Sequence, residues 1–415
     1  MPKAPFEKRL GLHLTAIGHT TIKPKSNYPP NNHPTGRAFS WEQGRVIHAL
    51  QIVAIRRGHG EVHWMREQRP VERGSVFIIK PGEWHRYRPL KQVGWVEDWI
   101  ELRGHLPDYW LAQGLFEDRF YKLNTPVSFF KKIDKLVGSP LVNMGPIRLR
   151  QPLPTEGIDN VDPFLLLHHY GPYAISEFNN PFDLGPHPHR GFEPITLLFK
   201  GEQMHRDSLG NESVVKAGDV QWTTAGRGII HAEGPTKEFV KKGGDLEGIQ
   251  LWLNLPAKNK MMPAAYQHLT SSQIPTVFNK DKSISLKVVS GTHQDTHGLI
   301  KTQTAVNVFT LYADSKGTMT LELPENHNSL VYLLDGEIVV NNIEKLKKGE
   351  HQMATFLTSG AIIEITSLTK STVLILSGEP IKEKVKQHGP FVMNTQTEIL
   401  EALRDYNQGK MGYLY

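Results

Sequence analysis

The chain has 415 residues, no cysteine, and 48 Lys and Arg against 42 Asp and Glu. Its length predicts two or three domains. The missing cysteine excludes disulfides, thiolate nucleophiles, iron–sulfur clusters and cysteine-ligated zinc, so any metal must be held by His, Asp or Glu.

The opening segment, MPKAPFEKRLGLHLTAIGHT, has no apolar core ahead of a small-residue cleavage site, and no apolar run in the chain reaches the roughly 20 residues of a membrane span. A cytoplasmic protein with no membrane partner is expected. The net charge of +6 comes from scattered basic residues and reads as an ordinary solvated surface with a mild basic bias. Short runs rich in Val, Ile, Leu, Phe and Thr, broken by Gly, Pro, Asn and Asp, recur along the whole length and predict an all-β chain.

Three times an apolar strand reaches a glycine followed by an acidic residue: AIRRGHGE ending at Glu61, LLFKGE ending at Glu202 and YLLDGE ending at Glu337. Each time a second glycine, at Gly74, Gly218 and Gly349, opens another strand. The repeat predicts three similar β-barrels in tandem, over 1–125, 126–265 and 266–415. Phe120 to Pro140 and Lys258 to Pro275 read as the connectors. Helical signal is sparse. It is clearest near the C-terminus, where Thr395 and Glu398 form a capping box ahead of Ile399, Ala402, Leu403 and Tyr406, with Gly409 placed to end the helix.

In the first barrel His59, His63 and His85 lack a carboxylate at a matching offset, and no metal is expected there. Trp64, His85, Tyr87 and Trp95 read either as walls of an organic-ligand cavity or as packing aromatics. In the middle barrel His187 and His189 stand two apart, as do His231 and Glu233, so on extended strands each pair shares a face. Three imidazoles and one carboxylate suit Fe(II), Mn(II), Ni(II) or Cu(II) and leave an octahedral ion two open positions. The same HPH segment also reads as a turn about Pro188, and spacing leaves both readings open. In the third barrel Glu322 and Pro324 occupy the positions of the histidine pair, so no metal is expected, and His327 reads as a lone surface residue.

The segments DPFLLLHHYGP, HPHRGFE continuing through GRGIIHAEGP, IQLWLNLP and QHGPFVMNTQTEI resemble the pirin family, from about Arg148 to the end. The resemblance implies two cupin barrels, the first holding a single metal, Fe(II) foremost, through His187, His189, His231 and Glu233. It also implies a quercetin 2,3-dioxygenase activity that opens a flavonol ring with dioxygen, Glu233 moving the proton. The alternative it carries is a non-enzymatic, iron-binding transcription co-regulator with a transcription-factor partner.

ALQIVAIRRGHGEVHW, ERGSVFIIKPGEWHRYRP and GWVEDWIELRG resemble the ligand-binding and dimerisation barrel of AraC-type regulators. That likeness implies a sugar-like ligand and a homodimer contact, without the helix-turn-helix units that would bind DNA. The whole is expected to be three tandem cupin (jelly-roll) barrels with few helices. General cupins use a glutamate shortly after the histidine pair, but in the pirin pattern Glu193 is expected to orient a ligand or to be structural. Phe192, Met204, Gln221 and Trp222 are candidates for the cavity wall.

Overall fold

The computed structural model describes residues 11–29, 40–65, 67–123, 131–314 and 316–414. The chain divides into two compact units, Met1–Phe129 and Phe130–Tyr415. The expected 125/126 boundary lies outside the described residues.

In the first unit the 15-residue strand Leu50–Trp64 is the spine. Its first half pairs with Ser75–Ile79 and Trp95–Arg103, and its second half with Glu67–Glu72 and Trp84–Pro89. The two sheets enclose Val53, Ile55, Val62, Trp64, Phe77, Tyr87 and Trp95. The first glycine of the repeat, Gly60, makes no turn between strands here. The strand runs through it, and the left-handed residue is Gly58 (φ 94°), beside a register shift between Ile55 and Arg57.

The second unit contains the same architecture twice. A seven-stranded sheet in the order Leu141–Met144, Ile147–Leu153, Phe164–Ile175, Gly244–Asn254, Phe192–Lys200, Val220–Thr224, Ala265–Leu269 faces a four-stranded sheet in the order Leu184–His189, Ile229–Pro235, Glu202–Asp207, Glu212–Lys216. Further along, another seven-stranded sheet is built around Val306–Ala313, Ser371–Gly378 and Asn328–Asp335. It faces Gly317–Glu322, Ile362–Ser367, Glu337–Val340 and Glu344–Lys347. The two barrels exchange edge strands. Ile133–Gly138, on the N-terminal side of the middle barrel, pairs with His351–Phe356 of the last one, while Ala265–Leu269 pairs back onto Val220–Thr224.

Alternation along the large sheets explains why their strands read as nearly continuous apolar runs. Ile195, Leu197, Trp222 and Leu251 point away from the middle barrel and meet Leu330, Tyr332, Leu374 and Leu376 of its neighbour in one shared core. Fully burying each such side chain contributes roughly 1.5–3 kcal/mol. The last barrel is filled by Leu286, Met319, Leu321, Ile338, Ile363 and Ile365. His327, expected on the surface, is 7% exposed, with Nδ1 3.3 Å from Ser377 Oγ, because it sits in the turn leading into the buried strand Asn328–Asp335.

The C-terminal helix Gln396–Asn407 carries the expected capping box on Thr395 and Glu398. Ile399 and Ala402 pack on Phe391, Met393, Met411 and Ile230, so the end of the chain straps the middle barrel. Gly191 (φ 85°) is what lets it approach, since a Cβ there would collide with Val392 O. Arg190 Nη1 then reaches Asp405 Oδ2 at 3.0 Å, and the buried Lys260 ammonium donates to Gly191 O at 2.7 Å and Val392 O at 3.1 Å.

Lys410 foremost, then Arg190 and Arg404, hold the Asp405 carboxyl at about 2 despite the opposing effect of burial. Replacing Asp405 by Ala strands the Arg190 guanidinium and is expected to cost on the order of 2–4 kcal/mol in denaturant unfolding. The difference from the native protein should be full above about pH 4 and vanish as pH falls towards 2, because a depressed carboxyl stabilises only while ionised in the fold.

Candidate metal centre

The HPH segment is strand, not turn. Leu184–His189 pairs with Ile229–Pro235 so that His187 lies directly opposite His231 and Leu184 opposite Glu233. On the other edge of Ile229–Pro235, the strand Glu202–Asp207 sets His205 opposite Glu233. Residues two apart share a face, so three neighbouring strands deliver five ligand-type side chains to one place inside the barrel.

The ring centres of His187, His189 and His231 are 4.4 to 4.9 Å apart, and their ligand atoms lie within 4.8 Å of one another. His205, His231 and Glu233 form a second group within the same limit, so His231 belongs to both. The sequence-predicted quartet is therefore brought together around His231, with Glu233 grouped with His205 rather than with His187 and His189. The Glu233 carboxylate accepts from Gln221 Nε2 and, at 3.3 Å, from Thr196 Oγ1.

His205 was not among the sequence candidates. Its signal was the pair His205 and Asp207, spaced two apart like the other pairs. It is fully buried, its Nε2 is 3.2 Å from Asp207 Oδ2, and its ring stacks on Tyr266 at 4.2 Å.

The imidazoles are prepared as lone-pair donors. Burial first, and neighbouring histidines second, push His189 and His231 well below the ordinary range, so both are neutral at pH 7. His187 Nδ1 donates to Gly185 O at 2.8 Å. Nδ1 of His189 and both nitrogens of His231 are buried with no hydrogen-bond partner. Unsatisfied buried groups cost about 1–3 kcal/mol each, and neutral nitrogens converging without partners fit the donor set of a divalent transition metal.

Glu193 lies on the other face of the sheet. It alternates with Thr196 and shares the side of Ile195 and Leu197, and its carboxyl accepts from Thr224 Oγ1 at 2.6 Å. No ligand imidazole bonds it, and burial pushes its pKa up to about 7. Trp222 lies on that same face, in the shared core, and Met204 lines a different groove. Phe192 packs between His189 and Trp252, with ring centres 5.1 and 4.3 Å away. The cluster opens on a cavity of about 400 Å³ walled by Leu149, Leu166, Phe182 and Trp252, with His187, His189 and Glu233 at its surface.

In the first unit His59, His63 and His85 form no common cluster. His63 bonds Glu61 at 2.7 Å. His85 Nε2 accepts from Arg45 at 3.1 Å and Nδ1 lies 3.0 Å from Glu83 O. Trp64, Tyr87 and Trp95 are core residues, each no more than 3% exposed.

Twin seven-plus-four-stranded barrels packed on one core, with a His and Glu cluster, among the described residues, inside only the first, define a two-barrel cupin. The family model described as Pirin matches residues 146–253, and that described as Pirin C-terminal cupin domain matches residues 308–412. A Pirin-like protein of Caulobacter vibrioides is 34% identical over 289 residues, covering 69% of this chain and 99% of its own. A Pseudomonas aeruginosa protein provisionally named quercetin 2,3-dioxygenase is 36% identical over 251 residues, 60% of this chain and 87% of its own. The crystal structure of quercetin 2,3-dioxygenase from Acinetobacter baumannii superposes with a TM-score of 0.64 at 34% identity, covering 69% of this chain and 100% of that one. The chain belongs to the pirin family. Ahead of the pirin region, an AraC-like ligand binding domain matches residues 29–128.

Orphaned imidazole nitrogens are a stability liability in the absence of metal. In chelator-treated protein, His231→Leu should raise the unfolding free energy by roughly 1–3 kcal/mol, measured as an increase in the melting temperature. A fall would show that His231 is satisfied without an ion.

Proposed function

We propose that this chain is a metal-dependent dioxygenase of the quercetin 2,3-dioxygenase type, with His187, His189, His231 and Glu233 holding one divalent ion, Fe(II) before Mn(II), Ni(II) or Cu(II). The observation that carries the reading is the juxtaposition of neutral, unpartnered imidazoles with an apolar cavity of about 400 Å³, within the roughly 300–1,000 Å³ usual for small-molecule sites. When bound, such an ion supplies open positions for the adjacent hydroxyl and carbonyl of a flavonol and favours the deprotonated hydroxyl.

The protein's own groups do the rest. Leu149, Leu166, Phe182 and Trp252 offer flat apolar walls to an aromatic ligand and keep water from it. Glu233, steadied by Gln221 and Thr196, is the carboxylate placed to take the hydroxyl proton. The strap across His189 and Gly191 holds the histidine strand in register. One dioxygen is consumed for each carbon monoxide released as the ring opens.

A second reading concerns the first unit. Its core leaves Trp64 Nε1, Trp95 Nε1 and Glu97 Oε2 without hydrogen-bond partners, and burial pushes Glu97 up to about 8. These groups support a site for a small polar organic ligand, such as a sugar-like molecule, in the AraC-like barrel.

The enzymatic reading is tested by loading the protein anaerobically with Fe(II), adding quercetin and air, and following oxygen uptake and carbon monoxide. Native protein should turn over with one metal per chain by elemental analysis. His187→Ala should lose turnover by at least about a hundredfold, while Glu193→Gln should retain the metal. A fully iron-loaded native protein that consumes no oxygen refutes the reading.

A further inference from the structure

The interior face of the large sheet in the middle barrel carries a row of polar side chains on five consecutive strands: Gln151, His168, Gln250, Thr196 and Gln221. His168 is directly opposite Gln250, Gln250 opposite Thr196, and Thr196 opposite Gln221. Gln221 and Thr196 serve Glu233. The other end of the row has no such duty, yet His168 and Gln250 both face the same apolar cavity.

Hydrogen bonding fixes what His168 presents. Gln151 Nε2 donates to Pro154 O at 3.0 Å, which sets the orientation of the amide. Gln151 Oε1 is then the acceptor facing His168 Nε2 at 2.8 Å, so Nε2 carries the proton. The other ring nitrogen, Nδ1, is left as a lone-pair acceptor with no hydrogen-bond partner among the described residues. Burial holds the imidazole at about 4, so it stays neutral at pH 7. Beside it, Gln250 Oε1 shares the single Thr196 hydroxyl proton, at 3.3 Å, with the Glu233 carboxylate, which leaves the Gln250 amide nitrogen as a donor. An acceptor and a donor therefore stand side by side in a wall that they share with Leu166, Tyr170, Phe182 and Trp252.

We propose that His168 and Gln250 form a clamp for a hydroxyl group of the substrate, away from its metal-chelating end: the hydroxyl donates to His168 Nδ1 and accepts from the Gln250 amide. The inference rests on the flavonol reading above and narrows it to polyhydroxylated aromatic substrates. A site built to bond a hydroxyl discriminates strongly against an analogue that lacks it, because its own polar groups are then left unpaired.

The test compares quercetin with 3-hydroxyflavone, which keeps the chelating hydroxyl and carbonyl but lacks the other hydroxyls. Equilibrium binding to anaerobic Fe(II)-loaded protein is followed by ligand absorbance. Native protein should prefer quercetin by about tenfold or more. His168→Phe should abolish that preference by weakening quercetin alone, leaving 3-hydroxyflavone within about twofold. Gln151→Leu leaves the cavity wall intact but frees the Nε2 proton of His168. It should lower the preference as well, and it serves if the phenylalanine variant does not fold. An unchanged preference in a folded variant overturns the clamp while leaving the flavonol reading intact. Failure of both ligands to bind native protein overturns the flavonol reading and the clamp with it.

Discussion

The two-residue alternation of one curved sheet is the constraint on which the second unit depends. Ile195, Trp222, Leu251 and Leu167 project from one face into a core shared with the neighbouring barrel. Thr196, Gln221, Gln250 and His168, each one residue away, project from the other face into the barrel interior, where His168 and Gln250 line the cavity. A slip of one residue in any of these strands would exchange the two sets, burying amides in the shared core and emptying the site of its supports. The shared core therefore does more than add stability: it fixes the register that aims the polar row at Glu233 and at the cavity.

That fixed register tolerates a costly centre. Three imidazoles with ring centres less than 5 Å apart, two of them held neutral by burial, would relax in a loosely packed barrel by turning towards water or backbone. His187 reaches backbone, at Gly185 O; His189 and His231 stay in the cluster because the histidine strand is held on both sides. Ile229–Pro235 pairs with it along one edge, and the C-terminal strap closes on the residues that follow it. Arg190 N donates to Pro390 O at 3.4 Å and Val392 N to Arg190 O at 3.0 Å. Pro390 and Gly389 themselves line the cavity, so the last element of the chain seals the site that the middle of the chain builds.

Much of this was legible in the sequence where chemistry and local pattern coincide. His and Glu pairs at a spacing of two, the capping box on Thr395 and the second glycine of each repeat are local signals, and each lies on the strand, helix start or turn that the pattern indicates. What could not be read depends on contacts between distant strands. His205 and Asp207 repeat the spacing of two, but only the register of His205 opposite Glu233 brings it to the centre. Glu193 follows the histidines where general cupins place a ligand; the pirin resemblance set it apart, and strand alternation turns it to the far face, where it bonds Thr224. Ile133–Gly138 reads as a charged connector because Asp134 and Lys135 are exposed, although it completes the sheet of a barrel more than 200 residues away. His327 is buried by tertiary packing that no local window contains.

The two barrels of this unit show how one topology separates stability from chemistry. Their four-stranded sheets have the same strand order, so Ile362–Ser367 in the last barrel stands where Ile229–Pro235 stands in the middle one. In the last barrel Ile363 and Ile365 fill the interior. In the middle barrel the corresponding strand delivers His231 and Glu233, and a cavity takes the place of packed methyl groups. Close packing of aliphatic side chains is what a barrel gives up to hold a site. By sharing its outer face with a fully packed twin, the middle barrel gains buried apolar area without filling its own interior, and the unit carries an open, polar centre within a well-packed whole.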